Sequence, residues 1–192
     1  MKTILCILMV ATGLNLNGQQ KKDRVQISTD HGTIIIELYP GSAPLTCANF
    51  LLYVDAGHFK ESSFYRTVTM DNQPDNDIKI EVIQGGLSGS GKRPGIAAIE
   101  HETTEVSGLK HLDGTISMAR SNPGTASSEF FICINDQPSL DYGGLRNPDG
   151  QGFAAFGKVI SGMDIVKKIQ NSPAQGQNLT PRIVIKNISR IE

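Results

Sequence analysis

The sequence has no tryptophan, only three cysteines and four histidines among 192 residues, and no large excess of charge of either sign. The formal net charge is −1, and acidic and basic residues are mixed along the chain, without a basic block or an acidic tail. No apolar run reaches the roughly 20 residues that a membrane-spanning helix requires. Nucleic acid is therefore not an expected partner, and no stable membrane span is expected in the mature protein.

Glycine and proline, in contrast, are plentiful, with 20 and 9 residues. They imply many turns, which favours short strands over long helices. A length of 192 residues suits one domain with a short appendage, since domains commonly contain about 100–200 residues. The 39% of hydrophobic residues is enough for a core.

The N-terminus has a pattern of its own. Lys2 precedes an apolar run that ends at Leu14, and no further charge occurs before Lys21. A positive start and an apolar run of roughly 7–15 residues are typical of a secretory signal peptide. A buried first strand is the weaker interpretation, because the polar segment 15–24 separates the run from the rest. We predict a signal peptide at residues 1–18, without a defined cleavage point, and export to the periplasm or the extracellular space.

Cleavage would remove Cys6 and leave two cysteines in a compartment where disulfides form. Cys47, however, lies in a helical pattern, and Cys133 lies in an apolar strand pattern. Both are typical of small core residues, so we predict that they do not pair.

Apolar periodicity predicts a mainly β fold with about eight short strands and two helices. The first helix carries its apolar stripe at positions 47, 50, 51 and 54, and the second spans 163–169, opened by a capping box of Ser161 and Asp164. Sheets of this kind avoid exposed edges by closing into barrels. The predicted strands are 24–28, 33–39, 63–68, 78–83, 115–119, 129–135, 153–159 and 183–188.

Three familiar catalytic patterns each fail at one position. The zinc motif H-E-x-x-H begins at His101 but has Glu105 where the second histidine is needed. A phosphate-binding loop is incomplete, because Arg93 stands where the magnesium-binding serine or threonine belongs. The G-x-S-x-G pattern around Ser88 ends on Ser90. No metal site or cofactor is predicted, and no set of nucleophile, base and orienting acid is evident, so a secreted hydrolase has little support.

Six short motifs, in order between about residues 25 and 188, resemble those of the cyclophilins, the prolyl cis/trans isomerases, and most closely the bacterial members. They are Ala43-Pro44 with Asn49-Phe50, Phe64-Tyr65-Arg66, Gln84-Gly85-Gly86, GTISMAR at 114–120, SEFFI at 128–132, and FGKV at 156–159 followed by Gly162-Met163. The resemblance implies a closed eight-stranded antiparallel β-barrel capped by two α-helices, formed by residues 19–192 as one isomerase domain.

The reaction that the resemblance implies needs none of the missing machinery. Amide resonance opposes rotation about a peptide bond with a barrier of roughly 18–20 kcal/mol. At X-Pro bonds the two isomers differ by only about 1 kcal/mol, so both occur. The implied partners are proline-containing segments of client proteins, the implied state is a monomer, and no cofactor is implied.

The resemblance also assigns roles to individual residues. Arg66 would be the catalytic residue, whose guanidinium donates towards the proline nitrogen and weakens the amide resonance. Gln84 would hold the substrate carbonyl, and Phe131 with Leu140 would line the proline socket. The remaining predicted substrate-binding residues are Val82, Ala119, Arg120, Glu129 and Phe153, with the backbone at 119–120 pairing with the extended peptide.

Other interpretations of these residues remain open. Arg66 could be a structural ion-pair partner, Gln84 a turn residue, and Phe131 an ordinary core residue. The sequence also departs from the family at Glu81 and Val82, where members usually have Phe-Met. The alternative function is a cyclophilin-like peptide-binding module or chaperone with weak or no isomerase activity.

Overall fold

The computed structural model describes residues 23–191. The predicted signal peptide at 1–18 lies outside the described residues. In the described part of the chain, no helix is both long enough and apolar enough to cross a membrane.

Residues 23–191 form nine strands, three α-helices and one 3-10 turn. In chain order these are β1 (Arg24–Thr29), β2 (Gly32–Leu38), α1 (Pro44–Asp55), β3 (Ser62–Val68), β4 (Val82–Gly86), α2 (Thr104–Ser107), β5 (Thr115–Met118), β6 (Phe130–Cys133), the 3-10 turn (Pro138–Leu140), β7 (Ala154–Ser161), α3 (Met163–Gln170), β8 (Ala174–Gln175) and β9 (Asn178–Ile191).

Eight of these strands close into an antiparallel barrel. They lie in the order β1-β2-β7-β5-β6-β4-β3-β9, and pairing of β1 with β9 joins the two ends. Strand β8 has two residues and forms a hairpin with the start of β9. The predicted eight-stranded closed barrel is therefore confirmed.

The main core fills the barrel interior. Phe130 of β6 is fully buried, and its ring makes edge-to-face contacts of 5.6–5.8 Å with the rings of Phe50, Phe59 and Phe64. The predicted apolar stripe of α1, which includes Phe50, faces this core. Cys47 and Cys133 are both buried, and neither forms a disulfide.

Helix α1 begins with the help of a distant carboxylate. Pro44 occupies the first turn, but Ala43 at the N-cap provides no side-chain hydrogen bond. Glu102 instead accepts hydrogen bonds from the backbone N–H groups of Leu45 (3.1 Å) and Thr46 (2.7 Å). A negative charge at a helix N-terminus is stabilising. The Glu102 of the failed zinc motif thus has a structural role.

Two helix predictions need correction. The chain has a third helix, α2, of only four residues, which is too short for apolar periodicity to reveal. The Thr103 side chain accepts from Val106 N–H, and Gly108 ends the helix in the left-handed conformation. The predicted capping box at Ser161 was wrong, because Ser161 ends β7 and Gly162 is the N-cap of α3 without a side-chain hydrogen bond.

The predicted strand 78–83 was wrong over its first four residues. The backbone N–H and C=O of Ile80 bond to the side-chain amide of Gln73, at 3.3 and 2.8 Å, and not to a neighbouring strand. Gln73 is 1% exposed and also donates to Thr69 C=O. A buried amide thus folds residues 69–81 into a compact loop before β4 begins at Val82.

Replacing Phe130 with alanine should lower the free energy of unfolding by about 3–5 kcal/mol, because the cavity left among three rings cannot collapse fully. Urea denaturation measures this change. Leu145→Ala is the control, since Leu145 is 73% exposed, and its effect should stay within about 0.5 kcal/mol. Equal losses in both variants would contradict the assignment of Phe130 to the centre of the core.

Candidate active site

Strand register places four side chains in one row on the outer face of the barrel. Arg66 of β3 pairs with Gln84 of β4, Gln84 with Phe131 of β6, and Phe131 with Ser117 of β5. Directly paired residues of neighbouring strands project to the same face of a sheet. The row therefore juxtaposes a cation, an amide, an aromatic ring and a hydroxyl.

A β-bulge in β3 gives Arg66 its orientation. Phe64 pairs with Gly85 and Arg66 with Gln84, so Tyr65 is the extra residue. Phe64 is fully buried in the barrel, whereas the side chains of Tyr65 and Arg66 both bond to Gln84. Bulges commonly re-aim side chains next to active sites.

Arg66, Gln84 and Phe131 of this row line a cleft of about 240 Å³, whereas Ser117 is buried and does not line it. Eight predicted site residues line it, namely Arg66, Val82, Gln84, Ala119, Arg120, Phe131, Leu140 and Phe153. Ile80, Arg146 and Asn147 also line the cleft and were not predicted. Glu129 is the one predicted site residue that does not line it.

The floor of the cleft is apolar. Val82, Phe131 and Leu140 are each at most 4% exposed and pack in a cluster outside the barrel core. The ring of Phe153 stands perpendicular to that of Phe131, with 5.3 Å between the ring centroids. Val82 is smaller than the methionine usual in the family, and Ile80, from the loop 69–81, adds apolar surface beside it.

Two glutamine side chains hold the Arg66 guanidinium. Nη1 donates to Gln84 Oε1 at 2.9 Å, while Nε and Nη2 both donate to Gln177 Oε1 at 2.9 and 2.6 Å. Burial lowers the pKa of Arg66, but a guanidinium stays protonated at ordinary pH. Three of its five N–H groups are thus engaged, and the other two have no partner among residues 23–191.

Gln177 was not predicted from the sequence. It lies between β8 and β9, 111 positions from Arg66 along the chain, and belongs to none of the quoted motifs. Its Nε2 donates to Asn72 C=O at 3.1 Å, which connects the guanidinium to the loop 69–81. Glu81 does not compete for Arg66, because its carboxylate accepts from Asn135 Nδ2 at 2.7 Å.

Glu129 supports the other side of this network. The Tyr65 hydroxyl donates to Glu129 Oε2 and accepts from Gln84 Nε2, both at 2.7 Å. Burial, followed by the nearby Glu129 carboxylate, raises the pKa of Tyr65 well above its ordinary value, so the hydroxyl keeps its proton. Glu129 is therefore linked to Arg66 through Tyr65 and Gln84.

Close packing requires a glycine at Gly86, the last residue of the Gln-Gly-Gly motif. Gly86 has a φ of +145°, and a Cβ there would lie 2.6 Å from Ser128 C=O and 2.7 Å from the Glu129 carboxyl. Any side chain would displace Glu129. A glycine at this position therefore preserves the network that holds Gln84.

Arg120 fixes the loop 142–152 at the rim of the cleft. It donates to both Asp149 carboxylate oxygens at 2.8 and 2.9 Å and to Gly152 C=O, and its guanidinium lies 5.3 Å from the Phe153 ring centroid. The bonds from Arg120 lower the pKa of Asp149 to about 2. Ala119 N–H donates to Glu129 C=O at 2.8 Å. Any hydrogen bond from a bound peptide to the Ala119 backbone would therefore be accepted by the Ala119 carbonyl.

Contrary to the expectation from sequence, the fold does assemble a nucleophile, a base and an acid. His111 Nε2 lies 2.9 Å from Ser117 Oγ, and His111 Nδ1 lies 2.8 Å from Asp141 Oδ1. Ser117 and His111 are at most 1% exposed, and the His111 ring stacks on Phe131. A substrate cannot reach Ser117 Oγ, so this arrangement supports the cleft floor and gives no hydrolase site.

Asp141→Asn should lower the free energy of unfolding by about 1–3 kcal/mol at pH 7. Burial would raise the pKa of Asp141, but hydrogen bonds from His111 outweigh burial and lower it. A depressed carboxyl pKa stabilises the fold above the unfolded value near 3.9, and that contribution is lost as pH falls through the folded value.

The difference in free energy of unfolding between wild type and Asp141→Asn should therefore shrink as pH falls from the unfolded value near 3.9 through the folded pKa, as measured by urea denaturation at several pH values. Asp71→Asn, at an exposed loop position, is the control, and its free energy of unfolding should stay close to that of wild type at each pH. A difference that grows as the pH becomes more acidic would argue against the ionised Asp141.

The closed barrel, with its cleft on the outer face, has the fold of a cyclophilin. A model of the family described as cyclophilin type peptidyl-prolyl cis-trans isomerase/CLD matches residues 24–190. The chain belongs to this family and is a peptidyl-prolyl cis-trans isomerase.

Individual relatives agree with this assignment. The chain is 35% identical over 169 residues to a peptidyl-prolyl cis-trans isomerase of Acinetobacter baylyi, covering 86% of this chain and 82% of that protein. It is 34% identical over 149 residues to the isomerase cyp18 of Streptomyces antibioticus, covering 76% and 82%. A crystal structure of a cyclophilin type isomerase of Cryptosporidium parvum superposes with a TM-score of 0.72 at 26% identity, covering 89% and 98%.

Proposed function

We propose that Arg66 catalyses rotation about X-Pro bonds by weakening their amide resonance, and that the protein does so on exported proteins as they fold. One observation carries the proposal for Arg66. Its guanidinium is held by two amide oxygens beside the apolar floor, with two N–H groups left for a ligand.

The geometry suits a reaction that involves rotation alone. A proline ring would lie on Phe131, Leu140 and Val82, where apolar contact holds it while the preceding residue turns. In the transition state the proline nitrogen becomes pyramidal and its lone pair localises, so an N–H of Arg66 gains an acceptor that the planar amide lacks. An interaction made mainly in the transition state raises kcat rather than only lowering KM.

The surroundings of Arg66 favour this role over that of a structural ion pair. Among residues 23–191, no carboxylate forms a salt bridge with Arg66, and its side-chain partners are the neutral Gln84 and Gln177. Its positive charge therefore stays available to the cleft. Gln84, fixed by Tyr65, has a second Nε2 N–H with which it would hold a substrate carbonyl.

Arg66→Ala should reduce kcat/KM for an X-Pro peptide by at least about tenfold, equivalent to roughly 1.4 kcal/mol of barrier. A protease-coupled peptide assay on the mature protein measures this change. Arg190→Ala is the matched control, because Arg190 pairs with Asp55 of α1 and does not line the cleft. Equal activity of Arg66→Ala and wild type would overturn the mechanism, whereas no activity in either would favour a peptide-binding module or chaperone.

Export is proposed on the pattern of residues 1–18 alone, and the proposed clients are proline-containing segments of exported proteins. In a bacterial host, the full-length chain should be recovered outside the cytoplasm with an N-terminus near residue 19, as read by N-terminal sequencing. Leu8→Arg interrupts the apolar run and should retain uncleaved protein in the cytoplasm, whereas Leu8→Ile should not. The same distribution for Leu8→Arg and wild type would contradict export by this segment.

A monomeric state stays a prediction, testable by light scattering.

A further inference from the structure

Arg146 is a further arginine that lines the cleft, together with Arg66 and Arg120. Arg146 lies on the loop 142–152, and its side-chain Nη1 donates to Ile78 C=O at 2.5 Å, across to the loop 69–81. The two loops thus meet at one side of the cleft. Neither loop contributes a residue to the row on the barrel strands.

Of the three arginines that line the cleft, Arg120 is paired with Asp149, but Arg66 and Arg146 are not neutralised by the residues that the structure describes. Arg24, Arg120 and Arg190 each form a salt bridge with a carboxylate within 3.2 Å, but no such pair involves Arg66 or Arg146 within 23–191. Burial and the positive charge of Arg66 both lower the pKa of Arg146, so the two cations are close enough to repel each other.

A third residue of the cleft also has an N–H group without an acceptor. Asn147 lines the cleft, and its Nδ2 is buried without a hydrogen-bond acceptor in the described structure. Buried donors are nearly always paired, and each one that is not needs an explanation. The free N–H groups of Arg146, next to the positive charge of Arg66 and the unpaired amide of Asn147, are matched best by the oxygens of a bound anion.

We propose that Arg146 and Asn147 form a carboxylate subsite beside the X-Pro bond, so that the enzyme prefers peptides with an acidic group close to the proline. This inference rests on the proposed function and deepens it. A guanidinium binds a carboxylate with two parallel N–H···O bonds. The Asn147 amide, whose Nδ2 is buried in the free protein, turns towards the bound carboxylate to add a donor. The group can be an Asp or Glu side chain or the carboxylate of a peptide C-terminus.

The subsite is held in place before a ligand binds. Arg146 N–H donates to Ser139 C=O at 3.1 Å, and Gly143 N–H donates to Gly150 C=O at 2.7 Å across the loop. Asp149 of the same loop is bonded to Arg120 through two oxygens. A pre-ordered loop loses less conformational entropy on binding, so more of the charge interaction contributes to affinity.

The test compares pairs of end-blocked proline peptides that carry Glu or Gln at each of the two positions before and the two positions after the proline. A further pair ends two residues after the proline in a free carboxylate or an amide, which separates a side-chain anion from a C-terminal one. NMR exchange spectroscopy gives kcat/KM, and fluorescence competition gives Kd. In at least one pair, the anionic peptide should be favoured about fivefold or more at low ionic strength, less so at about 0.5 M salt.

Three variants assign that preference to Arg146. Arg146→Met should bring the ratio of anionic to neutral peptide close to one while the neutral peptide is still turned over. Arg146→Lys should retain part of the ratio, because it keeps the charge without the planar fork. Lys167→Met is the matched control, since it removes an exposed cation of α3 away from the cleft, and the ratio should not change.

The outcomes separate the two proposals. Isomerisation of all peptides without an anionic preference overturns the subsite and leaves the proposed function intact. A preference that persists in Arg146→Met also overturns it. If no peptide is isomerised, the proposed function fails, and the Kd ratio of anionic to neutral peptide still decides whether the subsite exists. Thermal melting of each variant shows that it is folded.

Discussion

The antiparallel register of β3 with β4, interrupted by one bulge, is the constraint on which the cleft depends. It sets Arg66 opposite Gln84 and sends Phe64 into the barrel in the same three-residue segment. The pairing of β4 with β6 then places Phe131 in the same row. A shift by one residue would turn Arg66 towards the apolar core, where no acceptor would compensate its charge. Barrel closure and the packed rings around Phe130 hold this register.

The outer face of the barrel is polar at Arg66 and Gln84 and apolar at Phe131. Amide oxygens of Gln84 and Gln177 orient the Arg66 guanidinium without neutralising it, since an amide accepts hydrogen bonds but carries no charge. The nearby carboxylates bond to other residues and not to Arg66, since Glu129 accepts from Tyr65 and Asp149 accepts from Arg120. The cleft therefore keeps a net positive character over an apolar floor, which suits an extended peptide with a proline ring and an electron-rich amide nitrogen.

Much of the fold follows from sequence, because its signals are local. The stripe of α1 and the alternation within most strands need only a few neighbouring residues, and the family resemblance pointed to eight of the residues that line the cleft. The failures have long-range causes. Ile80 reads as part of a strand, yet the buried amide of Gln73 takes its backbone bonds. Ser117 and His111 show no hydrolase pattern, yet the fold joins them with Asp141 under Phe131.

The sequence by itself determined the family, the barrel, and the identity of Arg66, Gln84 and Phe131 as members of one site, because these residues lie within contiguous motifs. Only the tertiary structure decided how Arg66 is held and what else shares its cleft. Gln177 lies 111 positions away, and Arg146 belongs to a loop outside the quoted motifs. Their positions depend on where β9 closes the barrel and on where the loops 69–81 and 142–152 meet. Contacts across such separations depend on the packing of the whole chain, so no local pattern encodes them.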